Sequence, residues 1–141
     1  MVAKFSPDRW PPAAGVRQLV GPGNVVVDAG ANVGYITALL AQWVGVDGRV
    51  HSFEPVPITS DLLRRSVAHL KLGQVAVHPC GVSDRAGGAK MSIPRYADGG
   101  ENLYESRVID EGEMPPAWKP FRSRCAVWMM SLPRMFLASR L

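Results

Sequence analysis

Residues 24–34, NVVVDAGANVG, constrain this chain more than any other stretch. Three consecutive valines lead into Asp28, and Gly30 and Gly34 then frame a short gap before an apolar helical pattern. A continuous apolar run, rather than an alternating one, suits a parallel strand covered on both faces. Strand, tight turn and helix in that order make a β-α unit. In open α/β sheets its turn, outside the carboxyl end of the strand, is where nucleotide-like ligands sit.

The flanking sequence repeats the pattern. Residues 1–12 read as a loose lead-in, and 13–20 as a short helix with Val16, Leu19 and Val20 on one side, ended by the Gly-Pro-Gly at 21–23. Residues 24–28 are the first expected strand. Apolar residues at 33, 36, 39, 40 and 43 have helical spacing. A second strand is expected over 49–53, ending at Glu54, and Pro55 and Pro57 open a helix over 58–70. A third strand follows at 74–77. This β-α-β-α-β order predicts a parallel sheet with right-handed crossovers. Residues 83–88 read as a turn and 90–93 as a short extra strand. Residues 95–118 are polar and rich in Pro and Gly, and an apolar patch at 121–137 has no assigned fate. The expected organisation is a lead-in over 1–21, a cofactor-binding Rossmann-like half over 22–94, and an irregular polar segment with a basic tail over 95–141.

The turn restricts the ligand. A phosphate-cradling loop needs Gly-Lys, and the chain of 141 residues contains no such pair. A dinucleotide loop needs G-x-G-x-x-G, but Asn32 stands at the middle glycine and Tyr35 at the last. S-adenosylmethionine has no phosphate to seat. It carries an ammonium, a carboxylate, a sulfonium and a ribose. Asp28 suits its cationic amino-acid end, and glycines at 30 and 34 let the backbone approach a ligand closely. Glu54 can accept from both ribose hydroxyls with its two oxygens, and Pro55 offers an apolar edge to the adenine. A dinucleotide site and a turn shaped by packing alone remain the competing readings.

Charge and cysteine content exclude little but point one way. The net charge is +4, yet residues 1–113 carry 11 basic and 12 acidic side chains, while 114–141 carry Lys119, Arg122, Arg124, Arg134 and Arg140 and no acid. The tail lacks a dense cationic cluster, so no nucleic-acid partner is expected. No run approaches the roughly 18 apolar residues of a membrane span, and the N-terminus lacks the apolar core of a secretory leader. Cys80 and Cys125 are read as reduced thiols of a cytoplasmic protein. His51, His69 and His78 have no metal-ligand spacing, so no metal site is expected.

DAGANVGYIT, followed by GRVHSFEPVP and GVSDRAG, resembles the FkbM-type branch of class I S-adenosylmethionine-dependent methyltransferases. The likeness runs over roughly residues 22–88. It implies an α/β fold with a Rossmann-like (class I methyltransferase) parallel sheet, and methyl transfer to a hydroxyl of a small-molecule or carbohydrate acceptor. Carried over by position, Asp28, Gly30, Ala31, Asn32 and Gly34 would form the first cofactor loop. Glu54 and Pro55 would meet the ribose and adenine, and Ser83 and Asp84 would lie near the adenine. No catalytic base is identifiable.

The resemblance also implies a fourth strand ending in an I-D-V-E-G-like motif, which this sequence does not contain. The expectation is therefore an incomplete sheet, the N-terminal half only, from a C-terminally truncated or frame-shifted member. Without a fourth strand, Val25 to Val27 would be an open apolar edge, which the tail could partly cover or through which the chain could self-associate.

Overall fold

The computed structural model describes residues 13–83, 87–95, 100–102, 106–109, 119–127 and 135–139. In chain order the elements are α1 (Ala13–Leu19), β1 (Val25–Ala29), α2 (Tyr35–Val44), β2 (Arg49–Phe53), α3 (Pro57–His69), β3 (Val75–His78), β4 (Gly81–Ser83), β5 (Gly87–Ile93), β6 (Arg107–Val108), β7 (Lys119–Val127) and β8 (Met135–Ser139). Among the described residues no helix is long and apolar enough to cross a membrane.

The first sheet has the order β3-β2-β1-β8, and all its pairings are parallel. It is a Rossmann-like sheet, entered through the β-α-β-α-β order that the sequence predicts. Val26 of β1 and Val50 of β2 are fully buried in one cluster with Leu39, Leu40, Ala41, Trp43 and Val44 of α2. Strand residues two apart share a face, so Asp28 and Ser52, which are register partners, also look toward α2. Val20, just after α1, joins this cluster, and the Arg17 guanidinium lies 5.8 Å from the Trp43 ring centroid.

Of the two outcomes expected for the edge of β1, the structure shows cover by the tail. β8 pairs with β1 along its full length, Val25 with Met135 through Ala29 with Ser139. The backbone groups that an edge strand would leave exposed are taken up by this pairing. The stated ground for self-association goes with the edge. Burial on both faces made the valine run legible, whereas nothing in MFLAS at 135–139 marks which strand it joins.

A correction concerns the segment expected to be irregular. β6, β7 and β8 all lie within 95–141, and a second sheet, β4-β7-β5-β6, joins strands from both sides of residue 94. β5 and β7 run antiparallel over seven register pairs, from Gly87 with Cys125 to Ile93 with Lys119. The expected turn at 83–88 is partly strand as well: Ser83 ends β4 and Gly87 begins β5. Met91 and Ile93 of β5 and Ser123 of β7 are buried, and Lys90 and Arg122 are exposed. Such a small mixed sheet carries little continuous apolar sequence, so hydrophobic pattern alone did not reveal it.

Candidate functional site

The site is built where β1 and β2 end. After Ala29 the chain turns through Gly30, with φ at 76°, and Asn32, with φ at 52°, before Gly34 caps α2 at φ 97°. These are left-handed conformations that favour Gly and, among other residues, Asn. Asn32 keeps this conformation without being glycine. Its Oδ1 accepts the Val33 N–H at 2.8 Å, the local bond that lets Asn tolerate such a turn. The departure from the dinucleotide pattern at position 32 is thus one of bulk and polarity, not of backbone shape.

The two glycines of the turn answer to different demands. A Cβ built on Gly30 meets nothing within 4 Å, so open space lies in front of it. A Cβ on Gly34 would stand 2.7 Å from Leu63 Cδ1. Gly34 therefore lets α3 pack against the start of α2. The sequence reading gave both glycines to close ligand approach; packing against Leu63 was not visible without the fold.

β2 fastens the turn. The Phe53 carbonyl accepts the N–H of Gly30 at 2.9 Å and of Ala31 at 3.0 Å. Glu54 Oε2 accepts the Asn32 N–H at 2.8 Å, and Glu54 Oε1 accepts the Val56 N–H at 2.9 Å. With Glu54 only 4% exposed, these backbone donors help hold its buried carboxylate. A carboxylate offers about four lone-pair positions, more than these two backbone donors use.

Asp28 is held from the helix side. Its Oδ2 accepts the Thr37 hydroxyl at 2.6 Å, and Thr37 Oγ1 lies 3.0 Å from Ser52 Oγ. All three residues are buried. The sequence reading missed Thr37 and Ser52. The available signal was Thr37 on the inward stripe of α2, at helical spacing from Leu40, Ala41 and Val44, where an apolar residue would be ordinary.

Asp28, Gly30, Ala31, Asn32, Gly34, Glu54 and Pro55 thus meet around the ends of two adjacent strands. Ser83 lies instead at the end of β4 in the second sheet, in register with Val127. Asp84 lies outside the described residues. The second sheet reaches the site through β7, where the Ser123 hydroxyl donates to the Pro55 carbonyl at 3.2 Å. Chemically this is an acidic corner. Two buried carboxylates flank a turn with open space in front of it, which suits a ligand carrying a cationic group and hydroxyl donors. Among the described residues no group of three or more His, Cys, Asp or Glu side chains could hold a metal ion.

Sheet order, crossover helices and the turn at the strand ends define an incomplete Rossmann-like unit. The chain is 42% identical over 73 residues to the 31-O-demethyl-FK506 methyltransferase FkbM of Streptomyces tacrolimicus. The match covers 51% of this chain and 27% of that protein, and it bears out the FkbM-type resemblance. The chain thus matches about a quarter of this relative's length. Solved structures similar to it include a protein from Clostridium thermocellum named as an rRNA-methylase, with a TM-score of 0.47 and 30% identity over 48% of this chain and 37% of that one. A SAM-dependent methyltransferase from Aquifex aeolicus has a TM-score of 0.46 and 22% identity over 53% of this chain and 47% of that one. No model of a known protein family matches the chain.

Proposed function

We propose that this chain carries the cofactor-binding half of an S-adenosylmethionine-dependent methyltransferase acting on a hydroxyl oxygen of a small-molecule or carbohydrate acceptor. The observation that carries this reading is the pair of buried carboxylates, Asp28 and Glu54, at the ends of adjacent strands on either side of a left-handed turn. The named activity of the FkbM relative, a methyltransferase for an O-demethylated compound, supports the choice of oxygen. In this reading Asp28 faces the cationic amino-acid end, and Gly30, Ala31, Asn32 and Gly34 form the wall of the loop. Glu54 takes the ribose hydroxyls and Pro55 borders the adenine; for Ser83 and Asp84 the adenine end is carried over from the resemblance alone. The reading of Cys80 and Cys125 as reduced thiols supports a cytoplasmic location.

Asp28 and Glu54 would hold S-adenosylmethionine, which would supply an electrophilic methyl group and leave as S-adenosylhomocysteine. The residues described here bind and orient. The buried carboxylates fix the two ends of the ligand, which leaves alignment of the acceptor oxygen as the remaining requirement. Proton removal from that oxygen is assigned to no residue of this chain.

Titration calorimetry with S-adenosylhomocysteine and with NAD tests the ligand. Binding of the first and not the second is expected. Binding of NAD alone would replace the reading with a nicotinamide site. A methyl-transfer assay on hydroxyl acceptors then separates an active enzyme from a chain that only holds the cofactor.

A further inference from the structure

Three polar side chains are buried together where α2 crosses the ends of β1 and β2. Asp28 is 3% exposed, and Thr37 and Ser52 are 0% exposed. Thr37 Oγ1 donates to Asp28 Oδ2 at 2.6 Å. A hydroxyl has one proton to give. Because the short, charge-assisted bond to the carboxylate uses it, the 3.0 Å contact between Thr37 and Ser52 has to run the other way, with Ser52 as donor. The chain of bonds is therefore directional, Ser52 to Thr37 to Asp28.

Packing alone does not call for these hydroxyls. Valine has nearly the shape of threonine and would fill the same place on the apolar stripe of α2. A hydroxyl buried at 0% exposure is retained at a desolvation cost that only its hydrogen bonds offset. Here those bonds end on a carboxylate.

We infer that Thr37 and Ser52 are positioning residues for Asp28, holding its carboxylate in one rotamer, so that it can receive the ammonium of the cofactor's amino-acid end. The inference rests on the S-adenosylmethionine reading above. Fixing Oδ2 fixes the plane of the whole carboxylate. Ser52, which is in register with Asp28 on the neighbouring strand, polarises the Thr37 hydroxyl and strengthens its bond.

The test compares two ligands on the 141-residue chain. S-adenosylhomocysteine has the amino-acid end; 5′-methylthioadenosine keeps the nucleoside and the sulfur and lacks it. Thr37→Val is expected to weaken S-adenosylhomocysteine by about tenfold, as for a lost bond to a charged group, and to leave 5′-methylthioadenosine within about twofold of the parent, because no ammonium is at stake. Thr37→Ser, which restores the hydroxyl, should bring the first affinity back. Ser52→Ala should act in the same direction and more weakly. Equal weakening of both ligands would show a purely structural role and overturn the inference, as would unchanged binding of S-adenosylhomocysteine. If Thr37→Val does not fold, the same ligand contrast in Ser52→Ala decides. A parent chain that binds neither ligand overturns the cofactor reading itself. That outcome is distinct from a parent that binds both and a variant that does not discriminate.

Discussion

At the scale of single residues, Glu54 has two jobs that a binding assay alone would confuse. It is a candidate ribose acceptor, and it is also the acceptor for the Asn32 and Val56 N–H groups. Glu54→Ala removes both acceptors and leaves two buried donors unpaired, at roughly 1–3 kcal/mol each. It should therefore lower stability by several kcal/mol as well as abolish binding. Glu54→Gln keeps one acceptor oxygen and turns the other into a donor facing an N–H. About half the loss of stability is expected, together with weakened ribose binding. Denaturant unfolding beside calorimetry separates the two effects; equal stability of parent and Glu54→Ala would remove the structural role. The sequence showed Glu54 because it ends a strand 20 positions after Gly34. It did not show the bonds to Asn32 and Val56, since these depend on how the turn folds back over β2.

At the scale of elements, the turn and α3 specify each other. Gly34 combines a φ of 97° with a missing Cβ that would stand 2.7 Å from Leu63 Cδ1. Gly34→Ala thus meets backbone strain of about 1–2 kcal/mol and a clash with a leucine that is fully buried. A total loss of roughly 2–4 kcal/mol is expected. Leu63→Ala opens a cavity and is itself costly. Combined, the two should cost less than their sum, because the truncated side chain makes room for the new methyl. Additive losses in a double-mutant cycle would show that backbone strain alone accounts for Gly34. The helices and strands of this half were legible because their apolar spacing matches their period. Strand β2 agrees with the expected 49–53, and α2 begins two residues later than expected because Gly34 sits at its cap. Of the second sheet, only the strand expected at 90–93, within β5, was legible. β7, KPFRSRCAV, has basic residues at 119, 122 and 124 with no clean alternation, and only its pairing with β5 makes it a strand.

At the scale of the whole molecule, stability is expected to depend on pH through two histidines of adjacent strands. His51 Nδ1 and His78 Nε2 lie 3.1 Å apart, and the His78 ring stacks on Phe53 at 4.4 Å between centroids. Burial, and then Arg49, lowers the pKa of His51; burial, and then His51, lowers that of His78. Both rings are therefore held neutral in the folded state more firmly than in the unfolded chain. Such groups contribute fully above the unfolded histidine value of about 6.5. Their contribution is lost as pH falls below it, because the unfolded chain then binds more protons. Melting temperature should drop between pH 7.5 and 5.5, and the drop should be smaller in His51→Gln and His78→Gln. An unchanged acid limb in both variants would mean that other groups set it.

The same scale holds the pairing that the sequence left open, the second neighbour of β1. β1 is a central strand because β8 lies along it, more than 100 residues later in the chain. Removing the residues after Val127 would leave Val25–Ala29 paired on one side only, with a row of backbone donors and acceptors and a valine-rich surface open to another chain. The shortened chain should associate at concentrations where the 141-residue chain does not, and amides of β1 should exchange faster with solvent. Sedimentation velocity and hydrogen exchange measure both. If the two chains sediment alike and β1 stays protected, its edge is not guarded by β8. The valine run would then have to be stabilised by the faces of the sheet alone, through the apolar cluster on α2 that already buries Val26 and Val50.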